Sequence, residues 1–185
     1  DHEQTFSPLK ISLLKAIAAQ AAAAIENARL AAEARDAEAL ERQVRMAADV
    51  QQRMIPQQSP KIPGVDLTSV YFPCFELGGD LFDFIPFPDD NVGLLIADVS
   101  GKGVPASLIM ASVRAALRAQ VDNVYNLSEV MRRVNLMLVR DTKPTEFVTL
   151  FYGVLDARRR RLTYCNAGHP AGLVLRDGKL IELGS

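Results

Sequence analysis

The sequence predicts an α+β protein of antiparallel sheets preceded by one long helix, and three observations predict it. From Leu9 onward the chain is crowded with alanine and leucine and holds no glycine or proline until Pro56. Strand-like stretches follow, then two helical stretches, then strand-like stretches again. Turn-forming residues join those strands at hairpin spacing, which is the pattern of a layered fold built on antiparallel sheets.

The long helix starts at Ser7-Pro8, an N-cap followed by proline at the first helical position, where the missing N–H is no loss. Its later half carries a heptad stripe of Ala37, Leu40, Val44, Ala47, Gln51 and Met54, at alternating spacings of three and four, as a coiled-coil seam requires. Glu38 with Arg42, Glu41 with Arg45 and Asp49 with Arg53 add i, i+4 charge pairs on exposed faces. The stripe fits two arrangements: a seam between two chains, or one helix packed on its own domain. The most apolar run, residues 16–25, is interrupted by Gln20 and is too short to span a bilayer.

Pro56, Pro60, Pro63 and Gly64 end the helix, and residues 65–72 alternate as a half-buried strand does. Residues 81–87 are rich in aromatic and β-branched side chains, and residues 92–99 are almost unbroken apolar. Pro88-Asp89-Asp90-Asn91 between them is turn chemistry, so the two stretches read as an antiparallel hairpin. After Gly103 a helix begins with Pro105 near its first turn and runs through Leu108, Ile109, Val113 and Leu117. A second helix follows Asn126, with Glu129 three residues on as a capping box, and carries Val130, Val134 and Leu138. Strands return at residues 147–155, 161–166, 171–176 and 179–182, and Arg176-Asp177-Gly178-Lys179 is a hairpin turn signal.

A length of 185 residues suits one ordinary domain plus an appendage, and 49% hydrophobic with 23% charged residues is a soluble globular composition. Net charge of −1 leaves no basic footprint for nucleic acid. The run Arg158 to Arg161 is short and reads as a solvated turn or docking edge. Cys74 and Cys165 do not make a disulfide framework, no signal peptide is visible, and a reducing cytoplasm is the expected location. Beyond His2 the helix region holds no histidine, which argues against a phospho-accepting kinase helix.

The chemistry concentrates in residues 76–106. Folding the hairpin about Asp89 or Asp90 sets Asp80 opposite Asp98 or opposite Val99. Like charges at opposed strand positions, roughly 5 Å apart, destabilise a sheet, so such a pair needs a reason to persist. A divalent cation supplies one, because Mg²⁺ and Mn²⁺ prefer carboxylate, carbonyl and water oxygens. Gly78-Gly79 before Asp80, with Gly101 and Gly103 after Asp98, let the backbone approach a ligand closely. The plainer reading is two strand-end acids in solvent with ordinary glycine turns.

GGDLFD (residues 78–83), ADVSGKGVPA (97–106), EFVTLFYGVLD (146–156) and NAGHP (166–170) are the stretches in which this sequence resembles the bacterial PPM-type, or protein phosphatase 2C-like, serine/threonine phosphatases of the RsbU/SpoIIE branch. The resemblance divides the chain into a long helix at residues 1–45 and a phosphatase domain at residues 46–185. It implies a four-layer α-β-β-α sandwich, with the metals in a cleft at one edge. It implies two Mn²⁺ or Mg²⁺ ions, with Asp98 bridging both, Asp80 holding one and the backbone carbonyl of Val99 also a ligand. Asp83 would stand behind those ligands. Ser100 reads as a turn serine rather than a nucleophile, since no histidine base lies near it in sequence, and His169 as a structural turn residue rather than a general acid. A later aspartate-glycine motif and a further aspartate, which the family uses to complete one metal's coordination, would fall beyond Ser185, so the domain reads as C-terminally truncated.

The same resemblance implies a phosphorylated protein substrate, by analogy a STAS-domain anti-sigma factor antagonist. The stretch FSPLKISLLKAIAAQAAAAIENARL also resembles the closing helix of a GAF sensor domain, which implies a preceding sensor that passes its state down the helix, while the heptad stripe gives the expectation of a homodimer through that helix. The competing reading is a non-catalytic dimeric signalling module that only binds a partner.

Overall fold

The computed structural model describes residues 7–73, 75–121 and 126–184. The chain divides into two units, Asp1–Gln43 and Val44–Ser185. Helix α1, Pro8–Met54, begins in the first and ends in the second. Its start is as expected, with the Lys10 N–H donating to Ser7 Oγ at 3.4 Å and the Ile11 N–H to the Ser7 carbonyl at 3.1 Å. Cys74 and His2 lie outside the described residues.

In the first unit α1 is exposed throughout, including Leu9, Leu13, Leu14, Ile17 and Ile25. Because the helix is unbroken, it contains an 18-residue window of mean hydropathy 1.3, long and apolar enough to cross a membrane by length and composition alone. That window is wider than residues 16–25, the apolar run between Lys15 and Glu26. Much of the apolar content here is alanine, which contributes far less to insertion than leucine or isoleucine does.

In the second unit, α1 packs through Val44, Ala48, Gln51 and Met54, and Ile55 just past its end is buried too. Three of the six stripe positions therefore face their own domain. The register shifts from Ala47 to Ala48, because packing on a globular surface follows 3.6 residues per turn and not the 3.5 of a seam. The Glu38–Arg42 pair forms, at 3.6 Å.

Strands β1 (Leu81–Phe87), β2 (Asn91–Val99), β3 (Val148–Asp156) and β4 (Arg161–Ala167) form one antiparallel sheet in that order. Helices α2 (Gly103–Val121) and α3 (Leu127–Asp141) connect β2 to β3 and cover one face. Alternation decides which side chains meet them. Leu81, Ile85, Leu95, Ala97, Val99, Leu150 and Tyr152 pack with Met110, Val113, Leu117, Val130 and Val134 as one core. Full burial of each large member stabilises the fold by about 1.5–3 kcal/mol. Strands β5 (Gly172–Arg176) and β6 (Lys179–Leu183) form a separate two-stranded sheet. The α+β class and antiparallel sheets are as the sequence predicts; of the four layers, the described residues hold one helix layer, the main sheet and this small second sheet.

Three local expectations change. Residues 65–72 pair with no strand; Val65 makes only an isolated bridge to Ile62. Alternation marks an extended amphipathic segment, but a ladder also needs a neighbouring edge. Leu108 is exposed, and Met110 takes the core position instead. The capping box is half formed: Asn126 Oδ1 accepts from the Ser128 and Glu129 N–H groups, while the Glu129 carboxylate turns to Arg132 and Arg133. Two nearby guanidiniums outbid one backbone N–H.

Candidate active site

The β1–β2 ladder pairs Leu81 with Ala97, and Phe87 with Asn91. Asp89 and Asp90, both in the left-handed region at φ 59° and 60°, close the turn. Carried one residue past Leu81, this register sets Asp80 opposite Asp98, the first of the two alignments that the turn left open. Alternation puts both acids on the face away from the helices. Burial raises the Asp80 pKa and the Asp98 charge raises it further, while His169 lowers it. Two like charges at opposed ladder positions repel, and a cation held between them relieves that repulsion.

Val99 adds a backbone oxygen beside the pair. A Cβ placed on Gly79 would lie 2.8 Å from the Val99 carbonyl oxygen, 3.2 Å from its Cβ and 3.3 Å from the Ala106 Cβ. Glycine at 79 is therefore required by the closeness of this approach. Asp80, Asp98 and Val99 line one cleft of about 310 Å³ with Ser100, Gly101 and Lys102. The Lys102 ammonium sits 5.3 Å from the centroid of the Phe75 ring at that cleft.

Two residues set aside by sequence reasoning take different places. Ser100 is structural: its Oγ accepts from the Phe147 N–H at 2.8 Å and its own N–H donates to the Phe147 carbonyl at 2.9 Å, tying β2 to the start of β3. His169, in contrast, joins the acids. Its Nδ1 is 2.9 Å from Thr149 Oγ1, and Thr149 is the ladder partner of Asp98. Asn166 fixes the turn from both sides, accepting from the His169 N–H at 2.8 Å and donating to its carbonyl at 2.9 Å. His169 lines a second cleft, of about 630 Å³, with Tyr71, Asp80 and Asp98.

Asp83 stands on the other face. It is fully buried toward α2, with Arg118 Nε 2.6 Å from Oδ2, Arg118 Nη2 2.8 Å from Oδ1, and Arg114 Nε 3.1 Å from Oδ2. Its carboxylate is committed to these guanidiniums, so it does not stand behind the other two acids. Behind them instead is Gln51, whose Nε2 donates to the Gly78 carbonyl at 2.7 Å and whose Oε1 accepts the Gly78 N–H at 3.0 Å.

The donor set fits a hard cation in kind. Two carboxylates and a backbone carbonyl are the oxygen ligands that Mg²⁺ and Mn²⁺ take. Among the described residues no cluster of three or more His, Cys, Asp or Glu side chains could hold a metal, so a metal held here would rest on these two carboxylates and the backbone oxygen. Sequence reasoning missed Gln51, Tyr71, Lys102 and Thr149. Lys102 and Thr149 lie inside two of the stretches that carry the family resemblance, residues 97–106 and 146–156, whereas Gln51 and Tyr71 carry no motif signal.

Residues 88–185, more than half of the chain, match the family described as Stage II sporulation protein E (SpoIIE). The chain belongs to the SpoIIE family. The phosphoserine phosphatase RsbU of Bacillus subtilis (strain 168) is 28% identical over 130 residues, which are 70% of this chain and 38% of that protein. This SpoIIE-family chain thus spans well under half the length of that relative. The crystal structure of the RsbU and RsbW domains of Rv1364c from Mycobacterium tuberculosis is 32% identical, with a TM-score of 0.50 over 55% of this chain and 28% of that one. The SiaA-PP2C domain of Pseudomonas aeruginosa superposes with a TM-score of 0.64 over 80% of this chain and 61% of that one. At 20% identity that likeness speaks to the fold, which is of the PP2C type.

Proposed function

We propose that this chain carries the metal-binding centre of a Mn²⁺- or Mg²⁺-dependent protein phosphatase acting on phosphoserine or phosphothreonine. The observation that carries the reading is Asp80 set opposite Asp98 and lining one cleft with it and Val99, in a chain of the SpoIIE family. Asp80, Asp98 and the Val99 carbonyl would hold the ions. Bound there, such ions clamp a phosphoryl group and bring the pKa of a bound water to about 7. Lys102 offers a positive charge at the cleft to an anionic substrate. With Nδ1 engaged by Thr149, Nε2 of His169 is the ring atom left to exchange a proton there.

The similarity to RsbU, a phosphoserine phosphatase, supports a phosphorylated regulatory protein as substrate, by analogy a STAS-domain anti-sigma factor antagonist in the cytoplasm. The exposed leucines and isoleucines of α1 support pairing of two chains through that helix, downstream of a GAF-like sensor. They equally favour the second reading, a non-catalytic dimeric module.

The test is hydrolysis of a phosphoserine peptide by the full natural polypeptide, with Mn²⁺ and with chelator, beside Asp98→Asn. Turnover that needs metal and disappears in the variant is expected. A parent that binds no Mn²⁺ and a variant that behaves like it would overturn the proposal in favour of the module.

A further inference from the structure

Beside the two acids lies a buried polar atom that the fold leaves unused. Tyr71 comes from the extended stretch that pairs with no strand. Its ring packs against Phe82, centroids 6.3 Å apart, and its hydroxyl is buried without a hydrogen-bond partner. An unpartnered buried hydroxyl costs about 1–3 kcal/mol. Phenylalanine would fill the same space without that cost.

Tyr71 and Asp80 line one cleft, and two further observations set the hydroxyl near that acid. The Tyr71 pKa is raised by burial and then by the negative charge of Asp80. A Cβ built on Gly78, two residues before Asp80, would lie only 2.7 Å from Tyr71 Oη. Gly78 is not among the glycines of positive φ, so its backbone conformation does not require glycine. What excludes a side chain at 78 is the tyrosine oxygen. The chain thus keeps both an unsatisfied hydroxyl and a glycine that makes room for it, at the edge of the acid pair.

Resting on the metal-dependent reading above, we propose that Tyr71 is a positioning residue of the centre: when a cation is held by Asp80 and Asp98, the tyrosine hydroxyl donates a hydrogen bond to the Asp80 carboxylate. That bond fixes which Asp80 oxygen is presented to the ion. Partners of this kind orient metal-binding carboxylates, and losing one weakens metal binding about 10–100-fold.

The experiment uses the full natural polypeptide, with Mn²⁺ affinity measured by titration calorimetry and the metal-free melting temperature measured alongside. Tyr71→Phe is expected to bind Mn²⁺ about 10–100-fold more weakly while its metal-free melting temperature stays level or rises. Gly78→Ala, which forces the hydroxyl aside, is expected to weaken Mn²⁺ binding in the parent and to cost no further affinity in the Tyr71→Phe background. If Tyr71→Phe keeps the parent affinity, or lowers the metal-free melting temperature without touching affinity, the hydroxyl is structural and the proposal fails. If the parent itself binds no Mn²⁺, the metal-dependent reading falls and this proposal with it.

Discussion

Gln51, near the C-terminal end of α1, holds both backbone polar groups of Gly78 at once, donating to its carbonyl at 2.7 Å and accepting its N–H at 3.0 Å. This side-chain amide stands in for a strand partner at the residue two positions before Asp80. It ties the helix to the loop that presents the acid. Gln51→Ala leaves both groups of Gly78 without that partner and is expected to lower stability by about 2 kcal/mol. Denaturant unfolding reads the stability. A variant as stable as the parent would show that the loop is held by other contacts.

Gly79 makes a sharper test of the cleft. In Gly79→Ala the new methyl meets the Val99 carbonyl oxygen at 2.8 Å, and neither backbone can yield cheaply. We expect Mn²⁺ affinity to fall at least tenfold, because Val99 and Asp80 are pushed apart together. Calorimetric titration that returns the parent affinity would show that the Val99 carbonyl is not a ligand.

Asp83 is expected to matter for stability more than for metal. Asp83→Asn keeps the shape but leaves the Arg114 and Arg118 guanidiniums without their carboxylate, and breaking such a buried pair costs about 3 kcal/mol. Because those arginines are partly exposed, at 23% and 41%, water limits the loss to the low end of the range for buried pairs. A drop in Mn²⁺ affinity with unchanged unfolding free energy would reverse this assignment.

The pH prediction concerns Glu129, whose carboxyl is held down to about 2 by hydrogen bonds from Arg132 and then Arg133. A depressed carboxylate stabilises the fold above its unfolded value of 4.5, and the contribution is lost as pH falls from there toward about 2. The melting temperature of the parent should exceed that of Glu129→Gln modestly at pH 6. The gap should close on acidification and shrink in high salt, since the group is exposed. A gap of equal size at pH 6 and pH 3 would falsify the assignment.

Sequence alone determined the elements and the chemistry in play. Pro56 and the turn residues punctuate the chain, strand alternation and helix period set each element's inner face, and Pro88 to Asn91 limited Asp80 to a place opposite Asp98 or Val99. These are short-range effects, legible because each depends on neighbours a few residues away. Tertiary structure decided the rest. It chose Asp98 over Val99 through one ladder and sent Asp83 to the arginines of α2 because odd positions of β1 face the helices. It brought His169 to the acids through Thr149 on β3 and turned Gln51 from a seam position into the partner of Gly78. It also left residues 65–72 unpaired, with the Tyr71 hydroxyl buried beside Asp80. Each of these rests on contacts between residues far apart in the chain, which local propensity and period do not encode.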